Sequence, residues 1–262
     1  MADSLYLSLW YPNLRLAALA EKLTAVLGEF ARNGGEPLVY AATVWPVSWQ
    51  EAPVFQRVYG RAVQVAGEGV PVQLGAEPKL AVEDALELLH EDFAYEFQIG
   101  WSLWELEVPE AAVVRKATAD PSTPLRFAQE NNALTMLRSA EDNNASGERG
   151  AAQKGHAEEA LEPRWVKTPR LVRVTGFGPL FDEGAYEQDG HIRVDFGPDT
   201  PFLEEEAELD STGARLMAEN VRRLVDLTNA VEKASGATAR LLWSELGESL
   251  AQRLAARLSK GN

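Results

Sequence analysis

Leu5, Leu7 and Leu9 alternate with Tyr6, Ser8 and Trp10, the period-2 pattern of a strand with one apolar face, ending at Pro12. Asn13 is placed to cap the helix that follows, whose stripe is Leu16, Leu19, Ala20, Leu23, Val26, Leu27 and Phe30. Asn33-Gly34-Gly35 ends it, because Asn and Gly enter the left-handed conformation cheaply. Leu38 to Trp49 reads as a strand region with Val39, Ala41, Thr43, Trp45, Val47 and Trp49 on one face, and Pro46 places it at an edge or a bend. Shorter strands are expected at Val54 to Tyr59, Ala62 to Ala66 and Val70 to Leu74. From Lys79 to Phe97 the spacing of Val82, Ala85, Leu86, Leu89, Phe93 and Phe97 predicts a helix. Its polar positions, Glu83, Asp84, Glu87, Glu91, Asp92 and Glu96, are acidic, and no lysine or arginine interrupts them. Trp101 to Val108 then reads as an aromatic-rich strand.

Beyond it, Leu125 to Leu137 has the pattern of a short helix, while Ser139 to Pro163 is poor in large apolar residues and reads as a flexible linker or long excursion. Val166 to Phe181 is strand-like. Asp189-Gly190 suits a hairpin turn into a strand at His191 to Phe196. Asp210 or Ser211 caps a long helix with the stripe Met217, Val221, Leu224, Val225, Thr228 and Val231, ended by Ser235-Gly236. Ala239 to Trp243 forms a last strand, and Leu246, Leu250, Leu254 and Leu258 a last helix. The element order predicts an α+β protein with mainly antiparallel sheet and helices packed on one face. A split βαβ (ferredoxin-like) arrangement accounts for the order in the N-terminal half, though many folds share it. The expected organisation is an N-terminal α+β domain at 1–117, a polar linker or excursion at 118–163, and a C-terminal α+β domain at 164–262, either separate or sharing one sheet with the first.

Composition narrows the function classes. With 262 residues the chain can bury a real core. Its formal net charge of −15 argues against nonspecific binding to nucleic acid or an anionic membrane, since both need a basic surface. The same charge permits a basic partner. With no cysteine, thiolate metal sites, disulfides and cysteine nucleophiles are excluded. No apolar run approaches the roughly 18 residues that span a bilayer, and residues 1–6 carry no basic leader segment, so the chain is read as cytoplasmic.

Little in the chain points to catalysis. Gly176-Phe177-Gly178-Pro179 lacks the Lys-Ser/Thr of a phosphate loop and reads as a strand bend. The three histidines, His90, His156 and His191, are far apart. Asp182, Glu183, Glu187, Asp189, His191, Asp195 and Asp199 crowd one hairpin region, but their spacing fits no EF-hand loop, and adjacent strand residues face opposite ways. No catalytic residue, metal ligand or cofactor is therefore assigned.

The acidic positions are better suited to docking. Like charges four apart, such as Glu83/Glu87 and Glu87/Glu91, destabilise a helix, and closely spaced carboxylates raise negative potential toward a basic partner. The sequence reading is thus a protein-binding module of inhibitor or immunity type that engages a basic protein through acidic surfaces. Glu83, Glu87, Glu91, Trp45 and Trp49 are its candidate binding residues. The alternatives are a carboxylate/His metal-dependent hydrolase centred on the 182–199 hairpin, and a structural oligomer subunit pairing through the C-terminal leucine ridge. Trp10, Trp104 and Trp243 are expected in the core.

Overall fold

The computed structural model describes residues 3–34, 38–60, 75–107, 164–203, 209–245 and 250–260. The strand candidates at 62–66 and 70–74, the helix at 125–137, the linker at 139–163, the acids Glu204 to Glu206 and Glu208, and Leu246 lie outside the described residues.

Seven strands form one antiparallel sheet: β1 Ser4–Trp10, β2 Val39–Pro46, β3 Phe55–Val58, β4 Phe93–Glu107, β5 Arg164–Phe177, β6 Ile192–Pro198 and β7 Ala239–Ser244. Their order across the sheet is β3-β2-β4-β5-β6-β1-β7. The first strand lies between two strands from the last third of the chain, paired antiparallel to both. Strands from the two stretches flanking 108–163 thus share hydrogen bonds in a single sheet. The chain divides into two compact units, 1–105 with 167–262, and 106–166. The described part of the second unit is short and includes an ion pair between Arg164 and Glu107 at 2.8 Å.

One face of the sheet is the core. Leu5, Leu7, Leu9, Ala42, Val44, Tyr95, Phe97, Ile99, Trp101, Val172, Val174, Ile192, Val194 and Phe196 are buried in one apolar cluster. Helix α1 (Leu19–Gly34) contributes Leu19, Leu23, Val26, Leu27 and Phe30 to the same cluster. Helix α2 (Pro78–Leu86) adds Ala81, Val82 and Ala85, and α3 (Ser211–Ser235) adds Val221, Leu224, Leu227 and Val231. Helix α4 (Leu250–Lys260) brings Leu250 and Leu254, so two members of the leucine ridge are buried within the chain itself.

The long acidic helix expected from Lys79 to Phe97 is corrected. Helix α2 stops at Leu86, a turn follows, and Phe93 opens strand β4. A helix through Phe97 would repeat repulsion between Glu83, Glu87 and Glu91, a few tenths of a kcal/mol per pair. The strand instead buries Tyr95, Phe97, Ile99, Trp101 and Leu103 at period 2. Each is worth about 1.5–3 kcal/mol, so strand burial decides the conformation. The Tyr95 hydroxyl also pins the intervening turn, accepting from His90 N at 2.8 Å and donating to Leu88 O at 3.1 Å.

Other expectations shift for similar reasons. Asn13 is not a helix cap: it sits at φ 51°, and Arg15 precedes the 3-10 turn Leu16–Ala18 that leads into α1. A bulge between Val39 and Ala41 changes parity, so Ala42 and Val44 enter the core while Thr43 and Trp45 face the other side. Trp10, Trp104 and Trp243 are only half-buried and share strand parity with Ser8, Ser102 and Leu241 rather than with the buried leucines. The tryptophan in the core is Trp101, packed among Phe30, Phe196 and Phe202. Between β5 and β6 a 3-10 turn at Phe181–Gly184 and a short helix at Ala185–Gln188 replace the tight hairpin.

Two termini follow the sequence closely. The Asp210 side chain accepts from Gly213 N at 2.6 Å and starts α3, and Gly236 ends it at φ 71°. Gly178 has a stricter requirement: a Cβ there would lie 2.3 Å from the Glu91 carbonyl oxygen and 2.8 Å from that of Phe93. Urea titration should show a loss of about 1 kcal/mol for Asp210→Ala. Gly178→Ala should lose at least about 2 kcal/mol, because two main chains must separate. A Gly178→Ala midpoint equal to that of the parent chain would contradict this packing.

Candidate docking surface

The sheet face away from the core carries polar, charged and aromatic side chains in register. Trp243 of β7 is opposite Tyr6 of β1, Tyr6 is opposite Asp195 of β6, and Asp195 is opposite Arg173 of β5. The Tyr6 and Trp243 rings stack at 4.6 Å, and Trp243 Nε1 donates to the Ser8 hydroxyl at 3.0 Å. In the next row Ser8 and Thr175 flank Arg193. The Arg193 guanidinium pairs with Asp189 and lies 5.3 Å from the Phe177 ring centre, 5.8 Å from Tyr6 and 5.9 Å from Trp49. A planar cation can use these aromatic faces while its donors go to a carboxylate.

Glu96 lies on this face, opposite Thr43 across β2 and β4. Burial pushes its carboxyl pKa up. The hydrogen bond from Gln98 and the positive charges of Arg173 and Arg193 oppose the shift, and Asp195 adds to it. His191 behaves in the opposite sense: burial lowers its pKa against the pull of Glu187. Its Nδ1 accepts the Tyr11 main-chain N–H at 2.8 Å, which requires an unprotonated nitrogen, and the Tyr186 ring packs at 4.1 Å.

The other acids of the 182–199 region are dispersed. Asp189 is held by Arg193, Asp195 accepts from Gly197 N at 2.8 Å, and Asp199 accepts from Asp3 N and pairs with Arg253 at 3.4 Å. Among the described residues no group of three His, Asp or Glu side chains converges as a metal site would.

At one end of the sheet three loops interlock through their main chains. Val47 N donates to Asp92 O at 2.8 Å, Asp182 N to Val47 O at 2.8 Å, and Leu180 N to Glu91 O at 2.9 Å. Gly178 N donates to Phe93 O at 2.7 Å. Beneath them a second apolar cluster joins Ala94, Phe177, Phe181 and Ala185 with Trp45, Trp49 and Tyr186. Trp49 packs edge-on to Trp45 at 5.7 Å and to Phe181 at 5.1 Å. The two candidate tryptophans therefore come together, but as the half-buried floor of the loops.

The exposed parts of these loops are apolar and acidic. Val47 is 57% exposed and Leu180 60% exposed, and Leu88 and Leu89 of the turn after α2 are also exposed. Glu87, Glu91, Asp182 and Glu183 are exposed in the same segments. Val47, Asp182 and Glu183 hold φ between 46° and 56°. For a β-branched residue such as Val47 this conformation is costly, and strained backbone concentrates where a surface serves a task other than folding.

Of the predicted acids, Glu83 and Glu87 are exposed at α2 and its C-terminal cap, and Glu91 is exposed in the turn before β4. They do not share one helix face, because the helix ends between them. Some acids pair internally: Asp84 with Arg57 at 2.8 Å and Glu83 with Lys79 at 3.8 Å. Val47, Leu180, Leu88 and Leu89 were missed by sequence reasoning. The available signal was charge segregation, since 38–56, 80–107 and 174–192 contain no lysine or arginine. Compared with known proteins, the chain matches no family model, no curated protein and no solved structure.

The titrations predict a measurable pH dependence. Glu96 keeps its proton to higher pH in the folded chain than in the unfolded one, so its contribution falls as pH rises from the ordinary carboxylate range through the folded pKa. Glu96→Gln should raise the melting temperature at pH 7 and leave it unchanged below about pH 4. His191 gives the opposite slope, with stability lost as pH falls below about 6.5. Destabilisation of Glu96→Gln at pH 7 that fades below about pH 4 would instead make the ionised Glu96 a needed partner of the arginines.

Proposed function

We propose that this protein is a protein-binding module that engages a basic partner through the acidic, apolar end of its sheet. The observation that carries the reading is the joining of three segments free of lysine and arginine into one hydrogen-bonded platform. The platform presents Val47 and Leu180 to solvent beside Glu91, Asp182 and Glu183. Protein interfaces pair a small apolar centre with a charged rim: the centre supplies affinity, and the rim supplies orientation and encounter rate. Trp45 and Trp49 support the platform from below, and Glu87 and Glu83 extend its charge along α2. The partner this chemistry selects is a lysine- or arginine-rich surface bearing an apolar side chain, such as an inhibitor or immunity-type protein would meet on its target. The reading needs no cofactor and no catalytic group.

An array of Lys/Arg-rich peptides, each with and without a Leu or Phe anchor, tests it. Binding should require both features and weaken steeply between 50 and 500 mM salt as rough working limits. Glu87→Lys with Glu91→Lys should lower affinity at least about tenfold, or about 1.4 kcal/mol. Leu180→Asp should do the same through the apolar centre. Peptide binding unchanged by both variants would remove the reading.

A further inference from the structure

Gly190 brings the turn before β6 against β1. At φ 92°, a Cβ there would lie 2.9 Å from Leu9 N and 3.0 Å from Leu9 O. The close passage sets His191 beside Tyr11, the residue that follows β1. There His191 Nδ1 accepts the Tyr11 main-chain N–H at 2.8 Å. An imidazole nitrogen accepts only through its lone pair, and in imidazolium both ring nitrogens are donors. Protonation of His191 therefore turns the acceptor into a second N–H facing the first. Tyr11 is 3% exposed, so its N–H is left without a partner away from water, which is costly.

This joint is tied to the short helix at Ala185–Gln188. The Tyr186 ring packs on the imidazole at 4.1 Å, and the Tyr186 hydroxyl donates to Leu14 O at 3.2 Å. Trp10 Nε1 donates to Glu187 O at 3.1 Å. The 11–14 loop thus holds the short helix, and His191 holds the loop. Ala185 and Tyr186 also belong to the apolar cluster of Phe177, Phe181, Trp45 and Trp49, so the short helix is continuous with the floor beneath the 178–182 segment.

The groups around the imidazole set the sign of the response. From the short helix, Glu187 favours the cation, but burial outweighs it and lowers the His191 pKa. From the 11–14 loop, the Tyr11 ring lies 6.0 Å away, and burial raises the pKa of both Tyr11 and Tyr186, so neither carries charge near neutrality. On the hairpin itself, Asp189 is taken by Arg193. From α1, the Lys22 ammonium lies 5.8 Å from the centre of the Tyr11 ring and disfavours a further cation. The closed joint thus prefers neutral imidazole, and it weakens as the pH falls below the ordinary histidine value of about 6.5.

We propose that His191 is a pH latch: its neutral ring fastens the 11–14 loop and, through Leu14 and Tyr186, the 185–188 helix, and its protonation releases both. The latch is a property of the free chain and does not depend on a partner. Amide hydrogen exchange of the full chain, corrected for the intrinsic effect of pH on the chemistry, tests it. Protection at Tyr11 N, and at Asp189 N, which donates to Ala185 O at 2.9 Å, should fall at least about threefold relative to Phe97 between about pH 7.5 and about pH 5.5. His191→Asn offers a carbonyl acceptor that does not titrate and should show no such fall. His90→Gln, in the turn before β4, should behave as the parent chain does. Should His191→Asn not fold, nuclear magnetic resonance of the parent chain decides, because the Tyr11 amide must titrate with the same midpoint as the His191 ring. Equal protection at both pH values in the parent, an equal fall in folded His191→Asn, loss of the fall in His90→Gln, or a Tyr11 amide that titrates apart from the His191 ring overturns the proposal.

Discussion

The contact of Gly178 with the Glu91 main chain sets the geometry of the sheet end. With no side chain at 178, the start of β4 and the end of β5 approach closely enough for Gly178 N to reach Phe93 O and Leu180 N to reach Glu91 O. That approach carries the 178–182 segment to Val47, whose own N–H and C=O bond to Asp92 and Asp182. Phe177 and Phe181 then meet Trp49 beneath the loops. Without this close passage the three loops would be separate excursions, and their acids and exposed apolar side chains would not be held in one place.

The sorting of side chains across the sheet explains why the display is available. Helices α1, α2, α3 and α4 all contribute to the cluster on one face, so the large apolar residues of alternate strand positions are consumed there. Among the described residues the opposite face carries the small cluster around Phe177 and Phe181 together with Tyr6, Arg193, Asp195, Arg173 and Glu96. Antiparallel sheets tolerate such a face, because alternation lets one side be polar without loss of core. Charge follows the same division. The arginines of that face are paired or flanked by carboxylates, while Glu87, Glu91, Asp182 and Glu183 remain exposed in segments that themselves contain no lysine or arginine. Among the described residues no helix is long and apolar enough to cross a membrane.

Where periodicity and punctuation agreed, the fold was legible. The β1 alternation, the α1 stripe to Gly34, and the α3 helix from Asp210 to Gly236 all appear in place, because local patterning, caps and burial favour the same structure. The segment from Lys79 to Phe97 was misread because Phe93 and Phe97 satisfy both a helical repeat with Leu89 and a strand repeat with Tyr95 and Ile99. Only the long-range partner strands β2 and β5 decide between them. The half-turn in parity at β2 came from a bulge that no residue type announces. For the site, Trp45, Trp49 and the acids were legible as types. Their assembly with Leu180 depends on main-chain contacts such as Leu180 to Glu91 and Asp182 to Val47, between segments far apart in sequence, which no local pattern records.

Native-state hydrogen exchange at the amides of Val47, Gly178, Leu180 and Asp182 tests the central claim that these loops form one preorganised platform. Rigid interlocking predicts that all four exchange slowly and with similar opening free energies, close to those of Tyr95 and Phe97 in the neighbouring strand. Fast exchange at these amides, with β4 still protected, would show that the loops open independently and would contradict a preformed docking surface.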